Sequence, residues 1–216
     1  MSAALFRALQ LADSAFPSGG FVYSWGLESA LGAGLVDRAD FAAWLEADML
    51  GRWAEFDRPA LAMAFRADDP LPVDAEIDRR LWAEPLRARS AEAGQAFLAA
   101  TARFGDAAAT ALRDAALDGA AQGHLPVAQG SVFRSMGLAL DQALAVSAHA
   151  AAQAVATAAV RLGLTGAIGA QAALAALAPT LAAAAEPPPP DLRPAAFAPI
   201  AEIAMLRAPA GALFAN

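Results

Sequence analysis

The chain has 216 residues, enough for one sizeable core, and is 58% hydrophobic but only 17% charged. A net charge of −7 without a clustered basic surface argues against nucleic acid, and the lack of cysteine rules out disulfides and thiolate metal sites. All fifteen basic residues are arginine, so lysine-dependent chemistry is excluded too.

Strand signals are nearly absent: period-2 alternation is not sustained, and alanine, the best helix former, fills the intervals between turn signals. The expected architecture is all-α, a single-domain bundle of about eight to ten helices. Leu5 to Ala12 forms the first helix. The chain then breaks at Asp13-Ser14 and turns through Pro17-Ser18-Gly19-Gly20, where a fixed proline φ and two permissive glycines give the reversal a cause. A second helix is expected from Phe21 to about Gly32, carrying Phe21, Tyr23, Trp25, Leu27 and Glu28. Asp37 or Asp40 can cap a third, Ala39 to Phe56, in which Phe41, Leu45, Met49, Trp53 and Phe56 make a core-facing stripe. Asp57-Arg58-Pro59 marks a new start, and Ala60 to Arg66 continues it.

Asp68 to Pro72 reads as a loop and Ala75 to Ala83 as a short amphipathic helix; Pro85 precedes a helix from Leu86 to Phe104, and another spans Ala107 to Asp118. His124-Leu125-Pro126 opens the next, and Asp141 caps a long one reaching Leu162. After the glycine-rich Gly163 to Gly169, the last long helix covers Ala170 to Ala184. Three regions result: a helical core over 1–186, a proline-rich spacer over 187–194, and a C-terminal apolar segment over 195–216. Leu162 to Ala185 carries no charge and is long enough to cross a bilayer, but it is mostly alanine, with few of the leucines and phenylalanines that drive insertion. A buried helix and no membrane are therefore expected. The N-terminal apolar run is too short for a secretory signal and has an arginine inside it, so a cytoplasmic location is expected.

No catalytic, cofactor or metal centre emerges. His124 and His149 are the only histidines; the first fits a turn at a helix start, the second a packed or edge position. Ser18-Gly19-Gly20 lacks the spacing of a phosphate-binding loop, and neither GxSxG nor HExxH occurs. Glu28, Glu46 and Asp48 look like solvated, scattered carboxylates. The second helix is different, with three aromatic rings in five residues. Two readings stand: core aromatics beside a solvated Glu28, or a partly exposed aromatic ridge with a carboxylate, suited to protein contact.

The stretch Leu11 to Gly34 resembles the N-terminal signature of the urease accessory protein UreF family, Pro-x-Gly-(Gly/Ala)-Phe-x-(Tyr/Phe)-Ser-x-Gly-(Leu/Val)-Glu. The matching residues are Pro17, Gly19, Gly20, Phe21, Tyr23, Ser24, Gly26, Leu27 and Glu28. Downstream, Asp57-x-Pro59-x-Leu61, the run Arg87 to Leu98 with Ser90 and Gly94, His124-x-Pro126-Val127-x-x-Gly130, and Ala158 to Leu162 are similar to further family motifs. The resemblance implies a dimeric, all-α, non-catalytic scaffold without a metal site of its own. Such a protein works with a UreD/UreH-type accessory protein and the GTPase UreG to support GTP-dependent nickel insertion into the urease apoprotein. It makes Pro17, Gly19, Gly20, Phe21, Tyr23, Ser24, Trp25, Glu28, Arg161, Gln171, Leu213 and Phe214 candidate partner-interface residues. Two departures stand out. The polar middle of the loop after Arg161-Leu162 is lost, although Gly166 and Gln171 remain, and the tail reads MLRAPAGALF from Met205, with Ala208, Pro209 and Ala212 where histidine, glutamate and tyrosine are expected. They motivate an alternative, a helical protein-binding or GTPase-regulating module no longer dedicated to urease.

Overall fold

Alanine-rich stretches bounded by proline and glycine become helices wherever the sequence offers one apolar face, and the computed structural model of the chain is built from them. It describes residues 3–13, 15–17, 23–195 and Leu213. Among these, the elements are α1 (Ala3–Ala12), α2 (Leu27–Gly32), α3 (Phe41–Asp48), a π-helical segment (Met49–Asp57), α4 (Arg58–Arg66), α5 (Leu71–Arg80), α6 (Glu84–Ala102), α7 (Ala107–Leu117), α8 (Leu125–Ser135), α9 (Leu140–Arg161) and α10 (Ala167–Ala184). The all-α bundle is thus what the chain forms, with no strand among the described residues.

Helix α8 is the hub. It packs on α4, α6 and α7 with its whole middle buried, from Pro126 to Phe133. Two close crossings fix it, and glycine makes both possible. A β-carbon on Gly94 of α6 would lie 1.9 Å from the Gly123 carbonyl oxygen at the entrance to α8. One on Gly130 of α8 would lie 2.5 Å from the Leu61 oxygen of α4. Both glycines belong to the downstream motifs, so those motifs record helix-to-helix distance rather than chemistry. Trp53, Phe97, Phe133, Leu61 and Leu144 fill the space between the helices, and the Phe97 and Phe133 rings meet edge-on at 5.9 Å.

Several boundaries moved. The expected third and fourth helices are one continuous rod from Phe41 to Arg66, its middle wound in π register. Proline explains the winding: Pro59 has no N–H to return to Glu55, and Arg58 N–H bonds Trp53 O five residues back. Two carbonyls are thereby released. Ala54 O accepts from Arg58 Nε at 3.1 Å, and Glu55 O accepts from Ala195 N–H at 2.9 Å. Helix α5 begins at Leu71, earlier than expected, because Pro72 sits in its first turn, where a missing N–H is harmless.

The expectation that the last long helix is buried fails. Among residues of α10, Ala170 and Leu177 alone are buried, and Ile168 is 86% exposed. It lies along α9 by one edge and leaves an uncharged face outside. Helices α9 and α10 are each long and apolar enough to cross a membrane, the first mostly buried in the bundle, the second mostly not.

Candidate partner interface

The motif turn is not helical where a helix was expected. Tyr23 to Gly26 is irregular, and α2 starts only at Leu27. Trp25 has φ 51° and Gly26 φ 88°, and two consecutive left-handed residues cannot continue a right-handed helix. Glycine takes this conformation freely, whereas for Trp25 it stores strain of about 1–3 kcal/mol, to be offset by what the ring touches. Ser24 Oγ accepts from Glu28 N–H at 3.3 Å, securing the first turn.

Tyr23 and Glu28 are both buried, and Trp25 is half-buried. The reading of a solvated Glu28 is therefore corrected: its carboxylate accepts from the Leu213 backbone N–H at 2.6 Å, so the far end of the chain reaches the motif. Tyr23 donates its hydroxyl to Glu92 at 2.9 Å, with the Arg89 guanidinium 5.9 Å from the ring centre. Burial, and then the bond to Glu92, raise the phenol above its ordinary pKa, so it stays a donor. The Trp25 ring stands 5.8 Å from that of Tyr23 and 4.6 Å from the Arg52 guanidinium carbon, a cation–π distance.

Arg52 anchors a group that the sequence reading missed. Its Nε and Nη2 donate to the two oxygens of Asp48 at 2.8 and 2.7 Å, and its Nη1 donates to Asp57 at 2.7 Å. Asp48, taken as solvated, is fully buried. The signal was present as Asp48-x-x-x-Arg52, a helical ion-pair spacing, but the reach to Asp57 depends on the π register, which brings residues five apart into line. Burial pushes the Asp57 carboxyl up to about 6 against the pull of Arg52, with Asp48 adding to the rise. Burial alone would lower Arg52, but the two carboxylates outweigh it and hold the guanidinium above its usual range. Nearby, Trp53 donates its indole N–H to Ser147 at 3.1 Å, and Ser147 donates to Gln129 Oε1 at 2.8 Å, tying the π segment to α9 and α8.

The proline run lies against the same rod. Arg58 Nη1 donates to Ala184 O, Arg66 to Pro188 O at 2.7 Å and Arg80 to Pro194 O at 3.1 Å. Three arginines thus hold backbone carbonyls of a stretch whose prolines cannot donate to a neighbour. The chain is delivered at Ala195 to the π segment.

Of the other candidates, Pro17, Arg161 and Gln171 are exposed, the last two at the far end of α9 and on α10, and Leu213 is 59% exposed. Gly19, Gly20, Phe21 and Phe214 lie outside the described residues, as does all of the apolar tail segment except Ala195 and Leu213. Structure brings together Tyr23, Ser24, Trp25, Glu28 and Leu213, and leaves Arg161 and Gln171 apart from them. His124 is fully buried at the start of α8, its Nε2 3.2 Å from Asp78 and its Nδ1 without a partner among the described residues. Asp74 holds the turn before it by accepting from the N–H groups of Gln122, Gly123 and His124. His149 is exposed, an edge residue in a groove between α1 and α9. No group of three metal-ligating side chains occurs among the described residues.

Comparison of the sequence with known proteins finds a family. Residues 35–178 match the UreF family model, a span that begins just after the motif turn. A urease accessory protein UreF of Cereibacter sphaeroides strain KD131 is 39% identical over 183 residues, covering 84% of this chain and 81% of the relative. The UreF of Paracoccus denitrificans is 36% identical over 193 residues, 85% of this chain and 80% of the relative. That of Paenarthrobacter aurescens is 37% identical over 147 residues, 67% of this chain and 66% of the relative. With two thirds of the chain inside the family model and relatives matching across the motif helices, the chain belongs to the urease accessory protein UreF family.

Proposed function

We propose that the protein is a non-catalytic, cytoplasmic scaffold in urease maturation. Together with a UreD/UreH-type accessory protein and the GTPase UreG, it supports GTP-dependent nickel insertion into the urease apoprotein. The observation that carries this reading is the junction of the motif turn and the C-terminal tail. Glu28 accepts from Leu213 N–H beside the buried Tyr23 and the strained Trp25, whose half-buried ring and the exposed Leu213 supply the apolar contact area at the junction. The protein acts as a homodimer in this role, and the uncharged outer face of α10 supplies a self-complementary surface for it.

Deletion of the gene tests the function directly. Urease should accumulate at its normal level but hold little nickel and little activity, both restored by the intact gene. Fully active, nickel-replete urease in the deletion strain would sink the proposal. Pull-down of purified chain with the UreD/UreH-type and UreG proteins tests the partners, and binding to neither would remove them.

A further inference from the structure

Beneath Trp25 lies a cavity of about 70 Å³, walled by Trp25, Trp53 and Phe97 and carrying Arg52, Asp57 and Gln129 on its lining. A water needs about 10–15 Å³ of such space, so the cavity holds roughly five waters or the tip of one long side chain, and no nucleotide. Its polar groups are unevenly used. Asp57 accepts from Arg52 through Oδ2, while among the described residues nothing donates to its Oδ1. Gln129 is 9% exposed; its Oε1 accepts from Ser147, and among the described residues nothing accepts from its amide nitrogen.

Charge is uneven as well. Asp48 and Asp57 place two carboxylates against the single Arg52 guanidinium, so one negative charge is unmatched. Arg58, next in sequence, turns away to the carbonyls of Ala54 and Ala184. Among the described residues no further charged side chain lines the cavity. The Asp57 side chain is 20% exposed, so the unmatched carboxylate can be reached from outside, and a cation entering there would pair it. The upward-shifted Asp57 carboxyl fits this imbalance. A hydrated metal ion does not suit the site, since it needs several oxygen ligands and the walls are aromatic and aliphatic. An apolar sleeve with a carboxylate inside it suits a side chain with an aliphatic stem and a cationic head.

We infer that the cavity under Trp25 receives the cationic head of an arginine or lysine side chain from a partner protein, paired to Asp57 Oδ1. This rests on the scaffold reading, because it gives that scaffold a specific socket. Trp25 belongs to the cavity wall, its strained backbone held in place by the stack on Arg52.

The full-length protein is titrated with n-propylguanidinium chloride while the Trp25 indole resonance is followed by NMR, and n-propylurea serves as the neutral isostere. The expected result is a saturable shift with the cation only, weakened roughly tenfold or more by Asp57→Asn. Ala154→Leu, which fills the cavity from α9 and leaves the ion set intact, should abolish the shift and covers the case in which Asp57→Asn does not fold. No saturable shift, an equal shift with propylurea, or an undiminished shift in Ala154→Leu would overturn the site. In pull-down, Ala154→Leu should weaken capture of the UreD/UreH-type partner or of UreG by roughly tenfold or more. Unchanged capture of both would overturn the partner assignment while leaving the scaffold function standing.

Discussion

Asp57 illustrates how one residue can carry a fold signal, an electrostatic cost and a recognition role together. It stands at the junction of the π segment and α4, pairs with Arg52 through Oδ2, and lines the cavity. Its folded pKa, about 6, lies above the ordinary 3.8. The folded state therefore binds this proton more tightly than the unfolded chain. The resulting stabilisation is fully present below about pH 4 and is lost as pH rises through 6, so ionised Asp57 costs about 3 kcal/mol at neutral pH. Asp57→Asn should remove that dependence. Urea unfolding at about pH 4 and about pH 7 should show the variant gaining about 2 kcal/mol relative to the parent between the two conditions. An unchanged difference would mean that folding leaves the Asp57 pKa where it is in the unfolded chain.

At the scale of elements, the bundle is set by how near its helices approach. Gly94 and Gly130 sit where backbone meets backbone, and a β-carbon would strike a carbonyl oxygen in either case. Gly94→Ala and Gly130→Ala should each destabilise the fold by about 3 kcal/mol, the upper range for overpacking, because a backbone oxygen yields less readily than a side chain. Thermal unfolding would measure it, and losses below about 1 kcal/mol would show that α8 can shift to make room. Most of these helices were legible in the sequence because proline and glycine punctuate alanine so clearly. The His124-Leu125-Pro126 start of α8 and the Ala107 start of α7 stand where the residues placed them. Three features were not legible. The π register needs Pro59 to be read as a missing donor within a continuing helix. The left-handed Trp25 defeats any periodicity argument, since aromatic residues in that conformation are rare. The burial of Asp48 depends on partners, and an i,i+4 acid–arginine pair looks the same on a wet face as in a core.

For the whole molecule, α10 is where the single chain leaves its account open. Its 18 residues bear no charge, and one edge suffices to bind it to α9, so an apolar face looks outward. A face of this kind is stable in water chiefly when covered. A second copy presents the same alanines, and small side chains let two such helices approach closely about a two-fold axis. Ala175 and Ala182 are both exposed and seven residues apart, two turns along one side of the helix. Ala175→Glu and Ala182→Glu would each place an unpaired carboxylate in that seam, at a cost of several kcal/mol. The dimer dissociation constant should rise by roughly a hundredfold or more, while helical content stays that of the parent. Light scattering after size exclusion, in buffer without detergent, would register the change as a halved mass. A dimer that survives both substitutions must be built elsewhere, and a parent chain that stays in solution only with detergent would assign the face to a bilayer instead.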